Sequence, residues 1–212
     1  AGILLLTLRI LGLPIPHRRA LWAAFLTMGF LNNVIPFSLI FWAQTDLASG
    51  VASILNAMTP IFTVIAAHFL TRDEAMTRNR LIGVILGFVG VFVLLGGGAP
   101  NGGLLAHLAI LGAAISYAFA SIFGKRFTRL GVAPLATATG QVTGSAIILL
   151  PIILLVDQPW AYPAPALPVI AALLGLVVLS TAFAYFLYFR ILSTAGATNL
   201  ALVTFLIPPS AI

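Results

Sequence analysis

The chain of 212 residues is 61% hydrophobic and 7% charged, carries a formal net charge of +6 and contains no cysteine. A soluble domain carries roughly 25% charged residues; so few charges cannot cover a fold of this size in water, lipid is the solvent that remains, and the apolar runs have the length of membrane helices rather than of barrel strands. The missing cysteines exclude disulfides, thiolate metal sites and redox pairs, and the arginines, clustered between apolar runs, mark membrane topology rather than a nucleic-acid surface.

In chain order, eight apolar spans are predicted at about 1–13, 20–45, 47–70, 79–97, 103–124, 133–156, 166–192 and 196–212. The connections between them are too short to hold a soluble domain. Positive charge falls in every second one: Arg18 and Arg19, then Arg72, Arg78 and Arg80, then Lys125, Arg126 and Arg129, then Arg190 where the seventh span ends. The intervening connections carry Asp46, no charge, and Asp157. By the positive-inside rule, the connections with Arg18, Arg78 and Lys125 are cytoplasmic and those with Asp46 and Asp157 lie outside. This predicts a multi-pass membrane protein. Residue 1 opens inside an apolar run, with no charged region of a signal peptide before it.

The second span carries Asn32, Asn33 and Pro36, with Gln44 nearer the outside. Two adjacent asparagines in an apolar helix are costly without partners, so one of Asn32 and Asn33 is expected as a structural clamp and the other as a cavity residue. The third span, "VASILNAMTPIF", places Asn56 four residues before Pro60, on one helical face with Ser49, Ser53 and Thr63. Serine and threonine satisfy their own helix cheaply; Asn56 does not. Pro60 removes a donor and frees the Asn56 carbonyl, which in lipid needs a partner or a watery cavity. Asn56 is therefore assigned to the solute pathway, the alternative being helix–helix hydrogen bonding. In the fourth span Gly83, Gly87 and Gly90 predict close helix packing. The fifth span offers Ser116, Tyr117 and Ser121, and the sixth Thr137 and Gln141. The seventh offers Ser180, Thr181, Tyr185 and Tyr188 as cavity or interface residues. The eighth, "NLALVTFLIPPS", sets Thr204 four residues before Pro208. Trp22, Trp42 and Trp160 read as interface anchors.

Placing Pro60 on Pro208 fixes an offset of 148, which brings Leu39 onto Leu187, Phe41 onto Phe189, Asn32 onto Ser180, Asn33 onto Thr181 and Asn56 onto Thr204. Five spans separate corresponding points, and an odd number inverts the second copy. The expected fold is all-α: a ten-helix transporter of two inverted five-helix repeats. The first repeat covers 1–97 and the second 103–212, with the first helix, half of the second and the last absent from this chain. Pro60 and Pro208 are the expected hinges.

Two stretches carry a family resemblance. Residues 49–95 show a small-residue run, Pro60, then Glu74 followed by Gly83 nine residues on and Gly90 seven beyond that. Asp73 stands where a glycine would precede the glutamate. The second copy matches through "AYFLYFRILSTAGATNLALVTFLIPP". These residues resemble the drug/metabolite transporter superfamily in its EamA branch of bacterial exporters, and within it the YddG-type aromatic amino acid and paraquat exporters. The resemblance implies the ten-helix fold and export; its motifs mark fold rather than substrate.

No HExxH motif, carboxylate cluster or phosphate-binding GxxxxGK[ST] loop occurs, and His17, His68 and His107 are scattered, so neither a metal nor another cofactor is expected. No nucleophile–base pair points to an enzyme. All four acids, Asp46, Asp73, Glu74 and Asp157, fall in or beside connections. Intramembrane carboxylates are the usual proton or sodium relays, so coupling uses the missing helices or transport runs down a gradient. A pathway without fixed charge suits a neutral, zwitterionic or aromatic solute. The expected function is secondary export of small amphiphilic metabolites, above all amino acids including aromatic ones, across the inner membrane by alternating access. The alternative is a nucleotide-sugar or sugar-phosphate carrier of the same fold, which needs Lys or Arg in the cavity, from Lys125 or Arg190 reaching inward. A membrane-embedded enzyme or a channel fits less well.

Overall fold

Backbone in lipid must satisfy its own hydrogen bonds, and among the described residues the apolar runs do so as helix. The computed structural model describes residues 1–13, 18–71, 76–94 and 102–207. Helix α1 is Gly2–Ile10; α2 (Arg19–Gly29) passes through a π-helical turn, Phe30–Val34, into α3 (Ile35–Ala43). The next run is α4 (Ser49–Asn56) and α5 (Thr59–Leu70), followed by α6 (Arg78–Leu94) and α7 (Leu104–Arg129). Helix α8 (Pro134–Ile152) continues as a π turn, Ile153–Asp157. Helix α9 (Leu167–Gly175) runs through a long π segment, Leu176–Phe183, into α10 (Ala184–Ala201), which tightens to a 3-10 turn, Leu202–Leu206.

Five of these runs are long and apolar enough to cross a membrane: Arg19–Ala43, Ser49–Leu70, Leu104–Arg129, Pro134–Asp157 and Leu167–Leu206. Helix α6, with 17 residues, is at the short end of the ~17–25 that span a bilayer. The last two predicted spans meet at "STAGAT", where Gly196, with φ 82° and ψ 173°, leaves helical geometry and divides Ala184–Ala201 into two helices. A residue without a Cβ admits that conformation.

The departures from α geometry recur at the repeat offset. Shifted by 148, the π turn Phe30–Val34 falls on 178–182, within Leu176–Phe183. The break after Asn56, at 57–58, falls on 205–206, within or beside the 3-10 turn Leu202–Leu206. In the first copy Pro36 has no N–H to give the Asn32 carbonyl, which favours a wider turn. Its counterpart is Ala184, so the second widened turn does not require a proline.

The chain packs as two compact units, Ala1–Phe30 with Phe127–Thr194, and Leu31–Arg126 with Ala195–Ile212. In the first, α2 and α8 approach closely because small residues let them. A Cβ on Gly29 would come within 2.7 Å of the Ser145 backbone nitrogen, and one on Gly144 within 2.9 Å of the Phe25 carbonyl oxygen. Phe25, fully buried, fills the space over Gly140 and stacks on Phe127 with ring centroids 5.2 Å apart. In the second unit Ala43, Leu47, Ala52 and Leu55 pack on Ala106, Ala109 and Ile110 of α7. Ile54, Met58, Ile61 and Val64 pack on Val84 and Val91 of α6. The three glycines of α6 divide. A Cβ on Gly87 would lie 2.9 Å from Ile61 Cδ1, as close packing predicts, whereas Gly83 and Gly90 have nothing within 4 Å. Close packing therefore holds for Gly87 alone.

Candidate functional site

The third apolar run is interrupted ahead of Pro60, which has no N–H for the Asn56 carbonyl. Helix α4 stops at Asn56 and α5 restarts at Thr59, with Pro60 in its first turn, where a missing donor costs nothing. The Asn56 carbonyl is taken over by the Thr59 hydroxyl, which donates to it at 2.7 Å. The rest of the polar stripe is spent locally as well: Ser53 donates to the Gly50 carbonyl at 2.7 Å and Thr63 to the Thr59 carbonyl at 2.8 Å. The Asn56 side chain is different. Its amide oxygen is buried and has no hydrogen-bond partner. An acceptor left so costs about 1–3 kcal/mol.

One turn further on lies a cavity of about 270 Å³, close to the ~300 Å³ at which small-molecule sites begin. Pro60, Ile61 and Val64 of α5 form one wall, Arg80, Gly83 and Val84 of α6 a second, and Thr198, Asn199, Leu202 and Phe205 a third. The open space over Gly83 is part of this cavity. Most of the lining is apolar, with Arg80, Thr198 and Asn199 as its polar residues. Asn199 donates its amide N–H to the Ala195 carbonyl at 2.9 Å.

Arg80 brings a charged residue to the lining of this cavity. The sequence places it in a connection, but it occupies the first turn of α6, half-buried, in helical register with Gly83 and Val84. That i, i+3, i+4 spacing is the signal that could have found it. Asn199 is legible in the sequence as the amide of the last predicted span.

Of the predicted site residues, Pro60 lines this cavity, Asn56 precedes it by one turn, and Thr204 sits in the 3-10 turn that supplies Leu202 and Phe205. The Thr204 hydroxyl is committed to the Ala201 carbonyl at 2.8 Å. Asn32 and Asn33 are both buried in the π turn after α2, and both have partners. The buried Ser116 donates to the Leu31 carbonyl at 2.6 Å, tying α7 to that same turn. Tyr117, half-buried, follows it on α7. The other four belong to the first unit. Gln141 is fully buried in α8, and Thr181 is half-buried in the long π segment. Tyr185 and Tyr188 meet edge to face at 6.1 Å, and Tyr188 meets Phe189 in the same way at 5.0 Å. Pro208, Asp73, Glu74 and His17 lie outside the described residues. His68 accepts a hydrogen bond on Nδ1 from the Met76 N–H at 3.0 Å. Among the described residues no three His, Asp or Glu side chains gather as metal ligands would.

A model of the EamA-like transporter family matches residues 1–96 and 104–212. The chain is 28% identical to Protein PecM of Dickeya dadantii, over 98% of this chain and 68% of that protein. It is 30% identical to the Uncharacterized inner membrane transporter YedA of Escherichia coli, over 96% of this chain and 66% of that protein. It is 28% identical to the Uncharacterized transporter YvbV of Bacillus subtilis, over 96% and 67% respectively. It thus spans about two thirds of the length of these relatives. No solved structure gives a significant match.

Proposed function

Since this chain belongs to the EamA-like transporter family, a multi-pass branch of the drug/metabolite transporters, we propose that it exports small zwitterionic metabolites across the inner membrane, above all amino acids including aromatic ones. The observation that carries this reading is the broken helix: Asn56 keeps a buried, unpartnered amide oxygen one turn before a cavity that Pro60 and Arg80 line. A zwitterion offers complementary groups. Its ammonium donates to Asn56 Oδ1, its carboxylate meets the Arg80 guanidinium, and its side chain lies on Ile61, Val64 and Val84.

Alternating access supplies the mechanism. The departures from α geometry at 30–34 and 57–58 recur 148 residues later, which supports two copies of one unit, here 1–97 and 103–212, as halves of a ten-helix fold. The alternation of charge between connections supports their inversion. Two inverted halves that bend at matched places can rock against each other around a solute held between them. Arg80 also favours one second reading, a carrier of sugar phosphates or nucleotide sugars. A doubly charged phosphate asks for more than one cation, whereas one suffices for a carboxylate.

Uptake into proteoliposomes of the full-length protein decides between them. Labelled phenylalanine and a panel of other amino acids are expected to enter, with competition by unlabelled aromatic amino acids and none by sugar phosphates. Uptake of the phosphates alone would transfer the function to the second reading. Arg80→Gln is expected to abolish saturable uptake under either.

A further inference from the structure

We propose that the groove between the end of α3 and the start of α7 binds a membrane lipid whose headgroup ends in a primary ammonium, with Asp46 as its anchor. The site is separate from the solute cavity and stands without the transport reading.

The groove has a volume of about 300 Å³, and Trp42, Thr45, Asp46, Gly103, Leu104 and Leu105 line it. Its depth in the bilayer follows from the runs that form it. Arg19–Ala43 and Leu104–Arg129 are both long and apolar enough to cross a membrane, and the groove lies where the first ends and the second begins. That is the boundary between hydrocarbon and water, where tryptophan is enriched. Trp42, Leu104 and Leu105 are all exposed. Exposed leucines are ordinary on a helix that faces lipid; a carboxylate held in place among them is not.

Asp46 is held from two sides. Its backbone N–H donates to the Ala43 carbonyl at 3.1 Å, closing the turn after α3. Its Oδ2 accepts the Gly103 N–H, from a residue 57 positions away. Only glycines allow that approach. A Cβ on Gly103 would come within 3.0 Å of Asp46 Oδ2, and one on Gly102, at φ +102°, would collide with Leu47. One N–H leaves most of a carboxylate's acceptor capacity unused. Beside it, the Thr45 hydroxyl gives its hydrogen to the Trp42 carbonyl at 2.7 Å and so offers a ligand lone pairs alone. The polar end of the groove is therefore an acceptor site with one negative charge, and a cation that donates hydrogen bonds is its complement.

A lipid with a primary ammonium has its groups in the same order as the groove. Asp46 stands at the watery end and Trp42 one helical turn deeper. The ammonium donates to the Asp46 carboxylate and to Thr45 Oγ1, and rests against the Trp42 ring, whose face attracts a cation. The upper acyl carbons lie on Leu104 and Leu105, and the phosphate stays in water. A choline headgroup carries the same charge but has no N–H to give either acceptor. A glycerol headgroup leaves the lipid with a net negative charge, which Asp46 repels. The bland alternative is that Asp46 is only a clamp for the turn before α7; a clamp needs its oxygen and not its charge.

The test uses the full-length protein in phosphatidylcholine nanodiscs. A minor fraction of the lipid is replaced by phosphatidylethanolamine, phosphatidylglycerol or phosphatidylcholine with brominated acyl chains, which quench tryptophan on contact. The Trp42 signal is the difference between the unaltered protein and Trp42→Phe. Brominated phosphatidylethanolamine should bind beside Trp42 roughly two- to fivefold more tightly than either of the others, the factor that one exposed ion pair supplies. Asp46→Asn keeps an acceptor for the Gly103 N–H and removes the charge, so it should bring phosphatidylethanolamine down to the level of phosphatidylcholine. The proposal is overturned if the three lipids quench the unaltered protein equally, or if the preference survives Asp46→Asn. Should that variant not fold, the unaltered protein still decides: phosphatidylethanolamine no better than phosphatidylcholine removes the primary ammonium from the site. Because none of this requires a solute, it fails separately from phenylalanine uptake.

Discussion

The Thr59 hydroxyl reaches back 2.7 Å to the Asn56 carbonyl, across the gap where α4 ends and α5 begins. This bond is the local compensation that lets a proline stand inside an apolar run. Thr59→Val keeps the shape and removes the donor, leaving a buried carbonyl unsatisfied at a cost of about 1–3 kcal/mol. Thermal unfolding in detergent should show a clear fall in Tm for Thr59→Val and little change for Thr59→Ser.

Asn56→Leu should lower solute affinity about tenfold while expression holds, since one hydrogen bond of about 1.5 kcal/mol to a desolvated ligand is worth that factor. Ser49→Ala, at an exposed position at the start of α4, should change little. Equal and mild effects in both would assign Asn56 to helix packing instead.

Pro60→Ala restores a donor to the Asn56 carbonyl and should raise thermal stability. If the break serves as a hinge, binding measured by calorimetry stays the same while the transport rate falls. Weakened binding with a proportionate loss of flux would mean that the proline only shapes the cavity wall. Pro208→Ala should behave in the same way.

Gly144→Ala and Gly83→Ala form a contrasting pair. The first pushes a Cβ to 2.9 Å from the Phe25 carbonyl oxygen, and the second enters open space. Gly144→Ala should destabilise by about 1–3 kcal/mol, the usual cost of overpacking. Gly83→Ala should leave Tm unaltered but narrow the cavity, and so lower uptake of large aromatic solutes more than of small ones.

Single cysteines can be introduced into this cysteine-free chain without background. Those near Arg18, Arg78 and Lys125 should react with an impermeant maleimide only from the cytoplasmic side, and those near Asp46, Asn101 and Asp157 only from outside. A cytoplasmic Asp46 would overturn the inversion of the repeats.

Much of the backbone was legible because lipid reduces folding to few choices. Span positions followed from hydropathy, and the break at Pro60 followed from the one residue that cannot continue a helix. What escaped depends on neighbours. The widened turn at Leu176–Phe183 has no proline to announce it. Gly83, Gly87 and Gly90 share one spacing, yet Gly87 alone meets a neighbour, Ile61. Arg80 counted as a topology signal, and its place at the cavity emerges only when α5, α6 and α10 are assembled. The Gly103 N–H meets Asp46, 57 residues away from it in sequence, a contact that no local pattern announces.

The close approach of Gly29 to Ser145 joins residues separated by 116 positions. On a ribosome adding ~5–20 residues per second, α2 enters the bilayer roughly 6–23 s before that part of α8 exists. For that interval the Gly29 and Phe25 face lacks α8, so the run Arg19–Ala43 must be competent to insert before it has that partner. A bulky residue at Gly29 should therefore leave insertion intact and block the later association of helices. The protein would reach the membrane in full amount and then be removed by quality control, a defect of assembly timing rather than of targeting.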